Sequence, residues 1–140
     1  MEWNEMDRKR RGLLVALLVL TPITAFYFMQ LIMGTKFVDV KLAAVVVNSL
    51  WVAGVYWLMC AVTGYPVICS LVVHLLCGVW GMANYFVNLF RGTPILPWDF
   101  AALKTAAAVS GSYKLTLTWD MYIGLAVLLL AVILLRKKLL

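Results

Sequence analysis

Four long apolar runs, set apart by short polar breaks, constrain this chain more than any other feature. They occupy about residues 13–33, 42–62, 67–90 and 119–135. A bilayer core about 30 Å thick needs about 20 apolar residues per helical crossing. Lipid offers the backbone no hydrogen-bond partner, so each run must satisfy its own amides as a helix. Composition closes off the soluble alternative. The chain is 65% hydrophobic, and its mean hydropathy is +0.98. A soluble domain is about 45–50% apolar, and 140 residues enclose too little interior to hide this excess from water. The expected fold is therefore all-α: a polytopic membrane helix bundle of four transmembrane helices, with no room for a separate soluble domain.

The charge pattern orients such a bundle. Net charge is +6, and seven of the twelve Lys and Arg residues lie at the two ends: Arg8, Lys9, Arg10, Arg11, Arg136, Lys137 and Lys138. Four crossings bring both ends to one side, and basic flanks make that side cytoplasmic. The expected organisation is a basic cytoplasmic N-terminus at 1–11, a membrane domain at 12–135 and a basic cytoplasmic end at 136–140. No basic stripe with interleaved aromatics runs elsewhere, which argues against nucleic acid as a partner. Membrane lipids are the expected partners. The first apolar run is too long for a cleaved signal peptide, so an uncleaved first span is expected. Pro22 should kink it, leaving a carbonyl for Thr21 or a neighbouring helix to satisfy.

Thr63-Gly64-Tyr65-Pro66 is a turn signal that folds the second and third runs into a tight antiparallel hairpin. Residues 91–118 form the one long segment that is not a span. Gly92, Pro94 and Pro97 should break the third helix. Asp99 is placed to cap a new one over the alanine-rich stretch, and Gly111 to end it in the left-handed conformation. This short helix is too brief to cross a bilayer and is expected to be interfacial or re-entrant on the outer side. Beyond it, Tyr113, Leu115, Leu117 and Trp119 alternate with polar residues in an extended pattern, and Trp119 and Tyr122 suit an aromatic belt.

The third run carries a polar stripe. Ser70, His74, Cys77, Gly81, Asn84, Asn88 and Arg91 are spaced 4, 3, 4, 3, 4, 3, so all seven share one helical face. Polar groups are expensive in hydrocarbon, so this face should look into protein or a wet cleft. Two readings follow. One is helix packing, with small residues at the contact and Asn48 of the second run as a candidate partner. The other is an outward cleft for a lipid headgroup, formed by Arg91, Asn88, Asn84, Asp99, Trp98 and Lys104, since arginine suits bidentate phosphate contact.

Catalytic and metal chemistry find little support. The six acidic residues are scattered, and no acid–base pair, Ser–His–Asp set or phosphate loop is visible. His74 and Cys77 make only half a metal site. Cys60, Cys69 and Cys77 fall in apolar runs, where thiols pack as small hydrophobes. No metal or cofactor is expected on this chain.

Asn84-Tyr85-Phe86 through Phe90-Arg91-Gly92-Thr93-Pro94-Ile95-Leu96-Pro97-Trp98-Asp99, followed by Leu103, Thr105-Ala106 and Val109, resembles the membrane domain of the lipoteichoic acid synthase-like family. These are bacterial phosphoglycerol transferases with a sulfatase-like outer domain. The resemblance implies a bundle in the bacterial cytoplasmic membrane, leading to an extracellular enzyme that takes glycerol phosphate from phosphatidylglycerol. That enzyme uses a threonine nucleophile and a divalent metal, typically manganese. None of those positions matches a residue of this sequence, so no catalytic residue carries over. The family typically has a fifth span, and the basic end fits an inside loop before one; the chain is accordingly expected to be a piece of a longer protein. The expected role is to anchor a catalytic domain at the outer leaflet and contact the phosphatidylglycerol headgroup. A four-span flippase or carrier for lipid-linked sugars, and a membrane scaffold subunit, are the alternatives.

Overall fold

The computed structural model describes residues 2–36, 39–102, 111 and 116–139. Four α-helices account for most of them: α1 (Glu2–Ile32), α2 (Leu42–Thr63), α3 (Pro66–Arg91) and α4 (Trp119–Leu139). A 3₁₀ helix, Pro97–Ala102, lies between α3 and α4. No strand occurs among the described residues. α1, α2 and α3 are long and apolar enough to cross a membrane. The described apolar stretch of α4, Trp119–Ile133, is shorter. α1 starts well before its apolar run, so the basic residues Arg8 to Arg11 continue the helix beyond it.

The local breaks follow from backbone chemistry. Gly64 ends α2 at φ 74°, its amide bonded to the Cys60 carbonyl, and Pro66 opens α3 at the first helical position. The Tyr56 hydroxyl donates to the Pro66 carbonyl at 3.1 Å and ties this turn to α2. The predicted hairpin is thus present.

Contacts between named residues fix the helix directions. Thr21 meets Ser70, Thr24 meets His74, and Phe28 and Met29 meet Gly78 and Gly81, so α1 and α3 run parallel. α2 turns straight into α3 at 63–66, and Gly34 meets Asp120 while Phe28 and Ile32 meet Gly124, so α2 and α4 are antiparallel to α1. α1 and α3 each touch all the other helices, whereas among the described residues α2 and α4 do not touch each other. The parallel α1–α3 pair is therefore the centre of the bundle, with α2 and α4 on its flanks. The basic end of α1, the 63–66 turn and the end of α4 lie at one end. The loop after α1 and the segment after α3 lie at the other.

The interior holds Phe26, Tyr56 and Met121 like any core, but the outside of the bundle is apolar, unlike that of a water-soluble protein. Ala25, Ala53, Thr21, Ser49 and Asn84 are buried, while Leu13, Leu58, Trp51 and Val62 are exposed. Small residues draw the helices together. A Cβ added at Gly81 would lie 2.7 Å from the Met29 carbonyl oxygen, and one at Gly124 would lie 2.9 Å from Ile32. Close backbone approach of this kind is how helices associate where lipid removes the hydrophobic drive between them.

Pro22 sits inside α1 and lacks the amide hydrogen that the Leu18 carbonyl would otherwise receive. The indole Nε1 of Trp57 on α2 donates to that carbonyl at 3.0 Å. The neighbouring helix supplies the missing bond, and the Thr21 hydroxyl is engaged elsewhere.

Three expectations are corrected. Asn48 does not partner the α3 stripe: it is exposed on α2, its amide donates to the Ala44 carbonyl at 2.7 Å, and the stripe faces α1 instead. Asp99 is not a helix N-cap; the 3₁₀ helix begins at Pro97, and Asp99 is its third residue. Gly111 does not adopt the left-handed conformation, which among described residues is taken by Gly34, Gly64 and Gly92. The remainder of the expected outer helix, residues 103–110, and Tyr113 and Leu115 of the extended pattern lie outside the described residues.

Candidate functional site

The polar stripe of α3 divides into a hydrogen-bonded seam within the bundle and an exposed rim at its end. In the seam, the Ser70 and Thr21 hydroxyls share a hydrogen bond of 3.0 Å. His74 Nδ1 lies 2.8 Å from the Ser70 carbonyl, which can only accept, so Nδ1 carries the proton. Nε2 lies 3.2 Å from the Thr24 hydroxyl oxygen, whose own hydrogen goes to the Leu20 carbonyl at 2.9 Å. The ring also stands edge-on to Phe28, with centroids 5.8 Å apart. Cys77 packs against the cluster of Ala25, Tyr56, Cys69 and Val73. The seam thus satisfies its polar groups against α1, as the packing reading requires.

Below His74, a cleft of about 410 Å³ opens between α1, α3 and α4. Its walls are Leu13, Leu17, Val67, Leu71, Val127 and neighbours, with Ser70 and His74 as the polar exceptions. Both ring nitrogens of His74 already have partners, so this cleft presents an apolar surface. It lies toward the basic end of the bundle, away from Arg91.

The rim is built by the proline-broken motif. Gly92 stops α3 at φ 73°, its amide bonded to the Asn88 carbonyl at 2.8 Å. The chain then doubles back. Asn84, buried in α3, accepts from the Ile95 amide at 3.0 Å and donates to the Trp80 carbonyl at 3.1 Å. Arg91 Nη1 and Nη2 donate to the two Asp99 carboxylate oxygens at 2.6 and 2.8 Å, a bidentate pair. Nη2 also donates to the Pro94 carbonyl at 3.0 Å, and Nε to the Thr93 hydroxyl at 2.9 Å. Asp99 in turn accepts from the Leu96 amide at 2.7 Å, reaching back from the third helical position to the residue before the helix. The Arg91 guanidinium and this amide hold the Asp99 carboxyl down at about 2.

Of the six residues expected at a headgroup site, Arg91, Asp99 and Asn84 are brought into one loop-closing network. Asn88 is exposed on the last turn of α3, and Trp98 is 69% exposed on the 3₁₀ helix. Lys104 lies outside the described residues. Among the described residues, four of the five guanidinium N–H groups have partners, leaving one on Nη1. The network neutralises the charge of Arg91 and rigidifies the rim. Trp119 and Tyr122, both exposed and with ring centroids 6.2 Å apart, stand at the start of α4 near this end.

Sequence reasoning missed Thr24, Thr93 and Trp57 as partners. Thr21 and Thr24, three apart in an apolar run, were a readable signal of a polar face on α1. Opposite charges eight residues apart across two prolines signalled the Arg91–Asp99 pair. Comparison of the chain with protein-family models, curated proteins and solved structures finds no match.

Proposed function

We propose that this chain is the membrane-anchoring domain of a lipoteichoic acid synthase-like phosphoglycerol transferase in a bacterial cytoplasmic membrane. In this reading α4 is a fourth crossing, and both basic ends face the cytoplasm. The reading rests on the Arg91–Asp99 network: the motif that carries the family resemblance folds into one hydrogen-bonded loop at the end of the bundle opposite the basic residues. A loop closed in this way presents Trp98 at a fixed height, where an indole ring suits the headgroup layer. Its role is to hold a separate sulfatase-like domain at the outer leaflet. Contact with a phosphatidylglycerol headgroup falls to the rim groups that remain open: the free Nη1 N–H of Arg91, the Asn88 side chain and Trp98, with Lys104 beside them in sequence. The chemistry, and the divalent metal it needs, belong to that other domain.

Purified chain in phosphatidylglycerol liposomes tests this reading. No glycerol phosphate should be released from the lipid, and the chain recovered from host membranes should bring with it, covalently or not, a sulfatase-like transferase. Turnover by the chain alone, or recovery without such a domain, refutes it. A lipid-flipping assay separates the carrier alternative, for which no intramembrane carboxylate offers a coupling group.

A further inference from the structure

The lipid-facing side of α2 carries a second regular seam. Ala44, Asn48, Trp51, Val55, Leu58 and Val62 follow one another at spacings of 4, 3, 4, 3, 4. That is the heptad rhythm of helices that pack knobs into holes. The seam points away from the bundle, which α2 meets through Ser49, Ala53 and Tyr56. Trp51 is 76% exposed and Val62 79%. Trp51 sits near the middle of α2, far from the interfaces that tryptophan favours. Beside it, a Cβ added at Gly54 would meet no other helix or side chain within 4 Å, and a groove of about 440 Å³ opens between Trp51, Gly54 and Leu58.

Asn48 makes this face more than a lipid-coated surface. It lies six residues into α2, about 9 Å along the helix at 1.5 Å per residue, too deep for its short side chain to reach water. One amide hydrogen bonds to the Ala44 carbonyl. Its Oδ1 and second N–H have no partner among the described residues. Such a group in hydrocarbon calls for a polar partner on another helix.

We propose that α2 is a homodimerisation surface, in which two copies pair α2 against α2 with Asn48 facing Asn48. The occupant follows from symmetry. Two copies inserted in one membrane point the same way, and a two-fold axis along the membrane normal brings each residue opposite itself at the same depth. A carboxamide both donates and accepts, so Asn48 complements its own copy. A helix of another protein would have to carry its own amide to that depth, whereas a second copy does so necessarily. One asparagine in an apolar seam also sets register and oligomer size. This inference needs the membrane and the face of α2, and stands apart from the transferase reading.

The test uses the full chain in liposomes, with donor- and acceptor-labelled N-termini and rising lipid-to-protein ratio. Energy transfer should fall along a monomer–dimer dilution curve. Asn48→Leu should weaken the dimer about 3- to 30-fold, the range of one interhelical asparagine bond. In a variant with Cys60, Cys69 and Cys77 changed to alanine, Asn48→Cys and Val55→Cys should form intermolecular disulfides and Val46→Cys should not. Energy transfer absent at every dilution, an Asn48→Leu curve matching the parent, or crosslinking at 46 as strong as at 55 each overturns the proposal.

Discussion

Replacing Trp57 with phenylalanine removes one hydrogen bond from a place where lipid offers no substitute. Pro22 leaves the Leu18 carbonyl without its helical partner, and the Trp57 indole fills the vacancy at 3.0 Å. Leaving such a group unsatisfied costs about 1–3 kcal/mol when it is shielded from water. Interhelical hydrogen bonds in membranes average lower, about 0.6 kcal/mol, because the unfolded chain in lipid also finds partners. The two bounds place the loss near about 1 kcal/mol. The change in ring size adds a packing term, kept small because Trp57 is half exposed. Pro22→Ala separates the two terms. Alanine restores the amide at position 22, so the Leu18 carbonyl regains its own helix bond and no longer needs the indole. Reversible unfolding in bicelles, followed as a double-mutant cycle, should give Trp57→Phe a cost of about 1 kcal/mol with Pro22 present and a few tenths without it. Equal costs in both backgrounds would refute the assignment of Trp57 as the surrogate donor.

Other outcomes follow from the same geometry. Gly81→Ala should destabilise the bundle by about 1–3 kcal/mol, because its methyl group meets the Met29 carbonyl, a backbone atom that cannot turn aside. Gly12→Ala, in open space on α1, should instead be neutral or stabilising by up to about 1 kcal/mol in the same unfolding measurement. Asn84→Ala should sharply reduce the hydrogen-exchange protection of the Ile95 amide, whose acceptor it removes, while leaving protection in α1 unchanged. The Asp99 carboxyl is held below its ordinary 3.8, so what it contributes to loop order is fully present above that value and lost as pH falls through about 2. Protection of the Leu96 amide should accordingly be constant from pH 8 to pH 4 and fail only in stronger acid, and Asp99→Asn should lower it at every pH.

Features that depend on one helix at a time were readable in the sequence. Hydropathy marks the apolar runs, Gly64 with Pro66 marks the hairpin, and the period of Ser70, His74, Gly81 and Asn84 marks an inward face on α3. What that face meets was not readable. A stripe gives the direction a helix looks, not which helix stands there, and the short 63–66 turn made α2 the obvious neighbour. The parallel contact with α1 is set by the joint fit of Thr21, Thr24 and Met29 with Ser70, His74 and Gly81, a matter of packing between segments about 50 residues apart. At the rim, the breaks at Gly92, Pro94 and Pro97 were legible from local backbone rules. The role of Asp99 was not, because Pro97 starts the 3₁₀ helix three residues early and shifts the carboxylate from cap to third position, within reach of Arg91.

In the proposed topology the bundle spans a membrane with the 92–99 loop on the outer face and the 63–66 turn on the inner one. In the background lacking native cysteines, Trp98→Cys and Tyr65→Cys should be probed in intact cells with a membrane-impermeant maleimide. Position 98 should react from outside, whereas position 65 should react only once the membrane is opened. Labelling of 65 but not 98 in intact cells would contradict this topology.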